Sequence, residues 1–82
     1  MIWKEQGNKL KTHLVFRDFN EAFSFMTSVA LLAEQLNHHP NWCNVWNTVD
    51  IELCTHDAGD LITDKDRDLA VKIEEIYSKF YN

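Results

Sequence analysis

Three histidines and the carboxylates around them carry the chemistry open to this chain. His38 and His39 stand together in the run Glu34-Gln35-Leu36-Asn37-His38-His39-Pro40-Asn41-Trp42, and His56 follows in Thr55-His56-Asp57. Imidazole is the side chain whose ordinary pKa lies nearest neutrality, so such a cluster suits proton transfer in both directions. The sequence holds no nucleophile motif and no phosphate-binding loop. General acid–base catalysis is therefore the chemistry to expect.

Glu34 precedes His38 by four residues, the spacing that puts two side chains on one helix face. A carboxylate there orients the ring and favours its protonated form, and the negative end of the helix dipole acts in the same direction. On this reading Glu34 supports His38 as an acid. His56 ends a strand whose core-facing positions have the opposite parity, so it projects to the other face or to the rim. A metal site is the main rival. Adjacent histidines in an extended segment point apart, however, and the spacing of His38, His39, His56 and Asp57 matches no usual metal-ligand pattern. The fourth histidine, His13, falls on the polar face of a strand and reads as a surface residue.

Ile2 to Gln6 and Lys9 to Arg17 flank Gly7-Asn8, a dipeptide suited to a tight hairpin. Leu10, Thr12, Leu14 and Phe16 share one face of the second arm. Asp18 reads as a helix N-cap with Glu21 in capping-box position. From there Phe19, Ala22, Phe23, Met26, Val29, Ala30, Ala33 and Leu36 recur at helical spacing, and Phe25 and Leu32 widen the stripe. Leu31 alone falls on the polar side and hints at a subunit contact.

Pro40 stops that helix and pushes His39 into an extended conformation, leaving His38 near the last turn. Trp42 to Trp46 and Val49 to Thr55 read as strands joined by Asn47-Thr48. Thr63 to Asp66 gives a second capping-box pattern, and Leu69, Ile73, Ile76 and Phe80 form the seam of a final helix. The acidic residues from Asp64 to Asp68 and Glu74-Glu75 read as a solvated face. The expected fold is α+β: one domain over 1–82, in the order β-β-α-β-β-α. A four-stranded antiparallel sheet with both helices packed on one face buries every apolar stripe at once.

Composition narrows the function classes. The 82 residues are 45% hydrophobic and carry only two glycines and one proline, a globular and not a low-complexity profile. A net charge of −5 removes the usual reason to propose a nucleic-acid partner. Cys43 and Cys54 make neither a disulfide framework nor a redox motif. With no apolar leader at Met1-Ile2-Trp3 and no bilayer-length apolar run, a soluble cytoplasmic protein without membrane contact is the expectation.

The arrangement Glu-x-x-x-His-His-Pro-x-Trp, then a strand ending Thr-His-Asp-Ala-Gly, then Thr-x-x-Asp opening a helix, resembles the pterin-4a-carbinolamine dehydratases from about Phe16 to the last helix. The resemblance implies a 4a-hydroxytetrahydropterin substrate, left when an aromatic amino acid hydroxylase uses its pterin. It implies a dehydration to quinonoid dihydropterin that needs no cofactor and no metal. His38, His39 and His56 become the active-site histidines, with His38 and His56 as the acid–base pair and His39 mainly orienting the ring. Backbone groups at Pro40, Thr55, Asp57 and Ala58 would recognise the ring edge, Glu34 and Asp66 would support the site, and Trp42 would wall the pocket. Animal members carry an N-terminal helix ahead of the first strand, which here comes almost at once, so a homodimer is expected in place of an obligate tetramer. The loop after His56 is one residue longer than the animal pattern.

Two classes of function are compatible with this reading: a working dehydratase, and a non-catalytic dimerisation or assembly factor on the same fold. Three titrating groups in one pocket favour the enzyme, since a scaffold has no physical need for them.

Overall fold

A computed structural model describes residues 2–80. Met1, Tyr81 and Asn82, which the single-domain reading over 1–82 includes, lie outside the described residues. Along the chain run β1 (Lys4–Gln6), β2 (Lys9–Val15), α1 (Phe19–Leu36), β3 (Asn41–Val45), β4 (Thr48–Leu53), a 3₁₀ turn (His56–Ala58) and α2 (Asp64–Ser78). The four strands form one antiparallel sheet in the order β1-β2-β4-β3. Both helices cover one face, as the stripes require.

The alternation in the two central strands builds the floor of the core. Leu10, Thr12 and Leu14 of β2 stand opposite Leu53, Ile51 and Val49 of β4, and all six are buried. Ala22, Phe25, Val29 and Ala33 of α1 and Leu69, Ala70 and Ile73 of α2 close over them. Phe16 joins the layers, its ring 5.0 Å from Phe25 and edge-on to Tyr77 at 5.3 Å, a geometry that suits aromatic quadrupoles.

Three local expectations shift. The buried face of α1 is rotated from the one periodicity favoured: Phe25 is fully buried while Phe23 is 55% exposed, its ring tilted against that of an exposed Phe19. The second hairpin turns at Trp46-Asn47, one residue earlier than expected. Trp46 takes a left-handed φ of 48°, and Asn47 is tied to Phe16 by two hydrogen bonds, its carbonyl accepting from the Phe16 N–H and its side-chain amide donating to the Phe16 carbonyl. Thr48 is thereby free to pair with both Val15 and Val45. The first hairpin is as expected, with Gly7 and Asn8 both at positive φ, the requirement of a type I′ turn.

The third shift bears on the site. Helix α1 ends at Leu36, and its cap is Asn37 in the left-handed conformation (φ 51°), not Pro40. The His38 N–H still reaches back to the Ala33 carbonyl at 3.1 Å, so the chain turns sharply out of the helix at this point.

Candidate active site

Each of the three motif histidines gives one ring nitrogen to a carboxylate. His38 Nε2 lies 2.5 Å from Asp66 Oδ1, His39 Nε2 lies 2.8 Å from Glu34 Oε1, and His56 Nδ1 lies 2.5 Å from Asp60 Oδ1. The fold brings the three rings to one open cleft of about 230 Å³, lined by Asn37, His38, His39, Cys54, Thr55, His56, Asp57 and Lys65. A larger concavity of about 390 Å³ beside Trp3, Leu10 and Val71 has no histidine on its wall.

The expected pairing of Glu34 with His38 is corrected. Asn37 breaks the helical register between them, so four-residue spacing no longer means a shared face, and the same turn brings His39 to Glu34. Adjacent histidines do point apart. The His38 side chain is 13% exposed and turned inward, whereas that of His39 is 57% exposed beside an 80% exposed Glu34.

Asp66 is the carboxylate that matters to His38, and it is fully buried. The reading of Asp64 to Asp68 as a solvated face fails at this residue. Its side chain serves α2 and the site together. Oδ2 accepts from the Thr63 N–H at 2.9 Å, one arm of the expected capping box, and from the Thr55 hydroxyl at 2.8 Å, while Oδ1 meets His38. Burial alone would raise this carboxyl, but the hydrogen bonds from His38, the Thr63 N–H and the Thr55 hydroxyl outweigh it and hold Asp66 below its ordinary value. Asp66 is therefore an anion at neutral pH. An anion can only accept, so neutral His38 must carry its proton on Nε2 and present Nδ1 as the nitrogen that takes or gives a proton. Geometry leaves Nδ1 of His39 and Nε2 of His56 as the nitrogens turned away from Glu34 and Asp60.

The loop after His56 is built to hold that ring at the rim. Thr55 bridges to Leu61, its N–H donating to the Leu61 carbonyl at 2.9 Å. Gly59 (φ 79°) and Asp60 (φ 60°) take left-handed backbone to close the loop. Asp60 thereby sits one turn beyond His56. Its role was not anticipated, although its four-residue spacing across a short turn was the available signal. Asn37, Cys54 and Lys65 are further lining residues that the motifs did not single out.

Several expected contacts have other uses. The Thr55 N–H is taken by Leu61, and its carbonyl accepts from both Ala58 and Asp60. Neither group is left for a ligand, and the Ala58 N–H is likewise engaged. Trp42 does not wall the cleft. It alternates onto the helix side of the edge strand β3 and packs against the core.

The fold and site together define an α+β protein whose motif histidines, each paired with a carboxylate, gather at one small polar cleft. The sequence profile described as pterin 4 alpha carbinolamine dehydratase matches residues 2–76. A protein of Synechococcus sp. (strain WH7803) whose name places it with these dehydratases is 54% identical over 74 residues, 90% of this chain and 78% of the relative. One of Afipia carboxidovorans, named likewise, is 52% identical over 80 residues, 95% of this chain and 79% of the relative. Among solved structures, a transcriptional coactivator/pterin dehydratase from Brucella melitensis superposes with a TM-score of 0.87 at 37% identity, covering 93% of this chain and 82% of that one. A pterin dehydratase-like protein identified as a RuBisCO assembly factor in the alpha-carboxysome superposes with a TM-score of 0.80 over 94% and 90% of the two chains. Its identity to this chain is 22%, so the likeness is one of fold. The chain belongs to the pterin-4a-carbinolamine dehydratase family. Its activity is that of a dehydratase, a lyase that takes water from a carbinolamine pterin.

Proposed function

We propose that His38 and His56 are the acid–base pair of this dehydration and that His39 orients the ring. The observation that carries the assignment is the buried His38–Asp66 pair. His38 acts in its imidazolium form, protonated on both nitrogens. Its Nδ1 proton goes to the departing 4a-hydroxyl, the C4a–O bond breaks and water leaves. Nδ1 then regains a proton from solvent through the open cleft. Nε2 of His56 takes the N5 proton, and the electrons of that N–H bond close the N5=C4a double bond of quinonoid dihydropterin. His56, 89% exposed, returns its proton to solvent. Groups placed in this way typically contribute about 10²–10⁴-fold each.

Among the ring-edge contacts, backbone at Pro40 and Asp57 and the Ala58 carbonyl stay in the proposal, while the Thr55 backbone and the Ala58 N–H leave it because they are engaged within the loop. Asp60 joins as the residue that orients His56, and Glu34 acts through His39. The carbinolamine is supplied by a pterin-dependent aromatic amino acid hydroxylase, and the setting is the cytoplasm. No helix among the described residues is long and apolar enough to cross a membrane.

The working unit is a homodimer. Two features support it: β3 is an edge strand, and it runs into an exposed Val45 and Trp46. An edge of this kind gains by pairing with a second copy.

The test is a dehydration assay. Purified protein added to chemically generated 4a-hydroxytetrahydropterin should speed loss of the carbinolamine absorbance with no added cofactor, and a chelator should leave the rate unchanged. Activity lost to the chelator and restored by zinc would overturn the metal-free mechanism.

A further inference from the structure

The hydroxyls of Thr55 and Thr63 continue the line of contacts that runs from His38 through Asp66. Thr55 Oγ1 lies 2.8 Å from Asp66 Oδ2 and 2.7 Å from Thr63 Oγ1. Chemistry sets the direction of this chain. An ionised Asp66 has no proton to give, so the single hydroxyl proton of Thr55 goes to Asp66. The contact between the two threonines must then be a donation from Thr63 to Thr55. The order is Thr63 O–H to Thr55 O–H to Asp66 Oδ2, with Asp66 Oδ1 receiving the His38 Nε2–H. Thr55 is itself buried.

We propose that Thr55 and Thr63 are positioning residues for the dehydration, holding the Asp66 carboxylate so that Oδ1 stays on Nε2 of His38 and Nδ1 stays toward substrate. The Thr63 N–H, also on Oδ2, fixes one direction of the carboxylate, and the Thr55 hydroxyl supplies the second. Two donors on one oxygen set the plane of the group, so the other oxygen has a single place to be. Without the Thr55 hydroxyl, a buried carboxylate short of a donor turns to recover one, and it takes the imidazole with it. Neither threonine touches the reacting atoms. The role is distinct from ring-edge binding, since both Thr55 backbone groups are spent inside the loop.

The proposal rests on the dehydratase reading, and its test separates the two. Ring-nitrogen NMR of His38 without substrate reports the tautomer whether or not the protein turns over any pterin. His39, Cys54, His56, Asp57 and Lys65, the other titratable groups that line the cleft, stay unchanged in every variant. Wild-type protein should show neutral His38 as the Nε2–H tautomer. Thr55→Val, which keeps the branched shape and removes the hydroxyl, should show a mixture of tautomers and a kcat lower by about 10- to 100-fold, the scale of a misplaced catalytic group. Its KM should change little, and Thr55→Ser should restore both readouts.

Should Thr55→Val fail to fold, Thr63→Val compared with Thr63→Ser decides. Loss of the outer hydroxyl should give the same tautomer mixing with a smaller fall in kcat. A folded valine variant, at either position, with wild-type tautomer and wild-type kcat overturns the proposal. So does a Thr55→Ser protein as impaired as Thr55→Val.

Discussion

Asp66 on the first turn of α2 meets His38 beyond the end of α1 across 28 positions of sequence, Oδ1 to Nε2 at 2.5 Å. It is the best buried of the three histidine–carboxylate pairs in the cleft. Burial makes the contact strong, since charge-assisted hydrogen bonds gain where water is excluded. The exposed pairs at His39 and His56 are screened by solvent and act mainly as orienting contacts.

Stability should report the state of Asp66. Its carboxyl is held below the ordinary value of 3.8 in the fold, so its contribution is complete above that value and is lost as pH falls through the lowered one. Asp66→Asn should be less stable than wild type by about 1–3 kcal/mol at neutral pH in urea unfolding. The gap should be constant above about pH 5 and should narrow as the solution is acidified further. A gap unchanged down to about pH 2 would show that the ionised carboxylate is not its source.

The three histidines should separate kinetically. His38→Ala and His56→Ala should lower kcat by about 10²–10⁴-fold with little change in KM, because an acid or base acts in the transition state. His39→Ala should raise KM at least as much as it lowers kcat, since a ring-orienting group acts in the ground state as well. Equal kcat losses at all three positions would remove the distinction.

Glu34 should matter far less than Asp66. Its partner is the exposed His39, so Glu34→Gln should change kcat by less than about threefold, in keeping with exposed ion pairs worth no more than about 1 kcal/mol. Steady-state kinetics over a pH range checks it. A Glu34→Gln profile displaced as far as that of Asp66→Asn would restore the simple four-residue pairing with His38.

Assembly is open to direct measurement. Light scattering at micromolar concentration should give about twice the 9.7 kDa chain mass, as expected if an unpaired sheet edge recruits a second copy. Replacing Val45 with Lys should shift the protein toward monomer if that edge is used. A single-chain mass for the wild type would show that the domain stands alone.

Much of this was legible from the residues. Alternation in Leu10 to Phe16 and Val49 to Leu53 fixed the central strands, and Asp18 with Thr63 marked both helix starts. The His-His-Pro and Thr-His motifs pointed to residues that the fold brings to one cleft. The pairing inside the site was not legible, for a physical reason: Asn37 leaves the helical region in a conformation that asparagine tolerates but does not announce. One residue of left-handed backbone then exchanged the partners of His38 and His39. Asp66 carried a true local signal as a capping residue, but a capping carboxylate uses one oxygen. Only the packing of α2 against the end of α1 shows what the other oxygen does. Phe23 and Phe25 were equally apolar candidates on α1, and the sheet beneath the helix chose between them.

The central claim, that His38 and Asp66 act as one unit in proton transfer, is tested most directly by a double-mutant cycle on kcat for the carbinolamine dehydration. His38→Ala and Asp66→Asn should each lower kcat by at least about 10²-fold. The double variant should be no slower than His38→Ala alone, because Asp66 acts only through the ring already removed. Losses that multiply in the double variant, or a wild-type kcat in Asp66→Asn, would contradict the account.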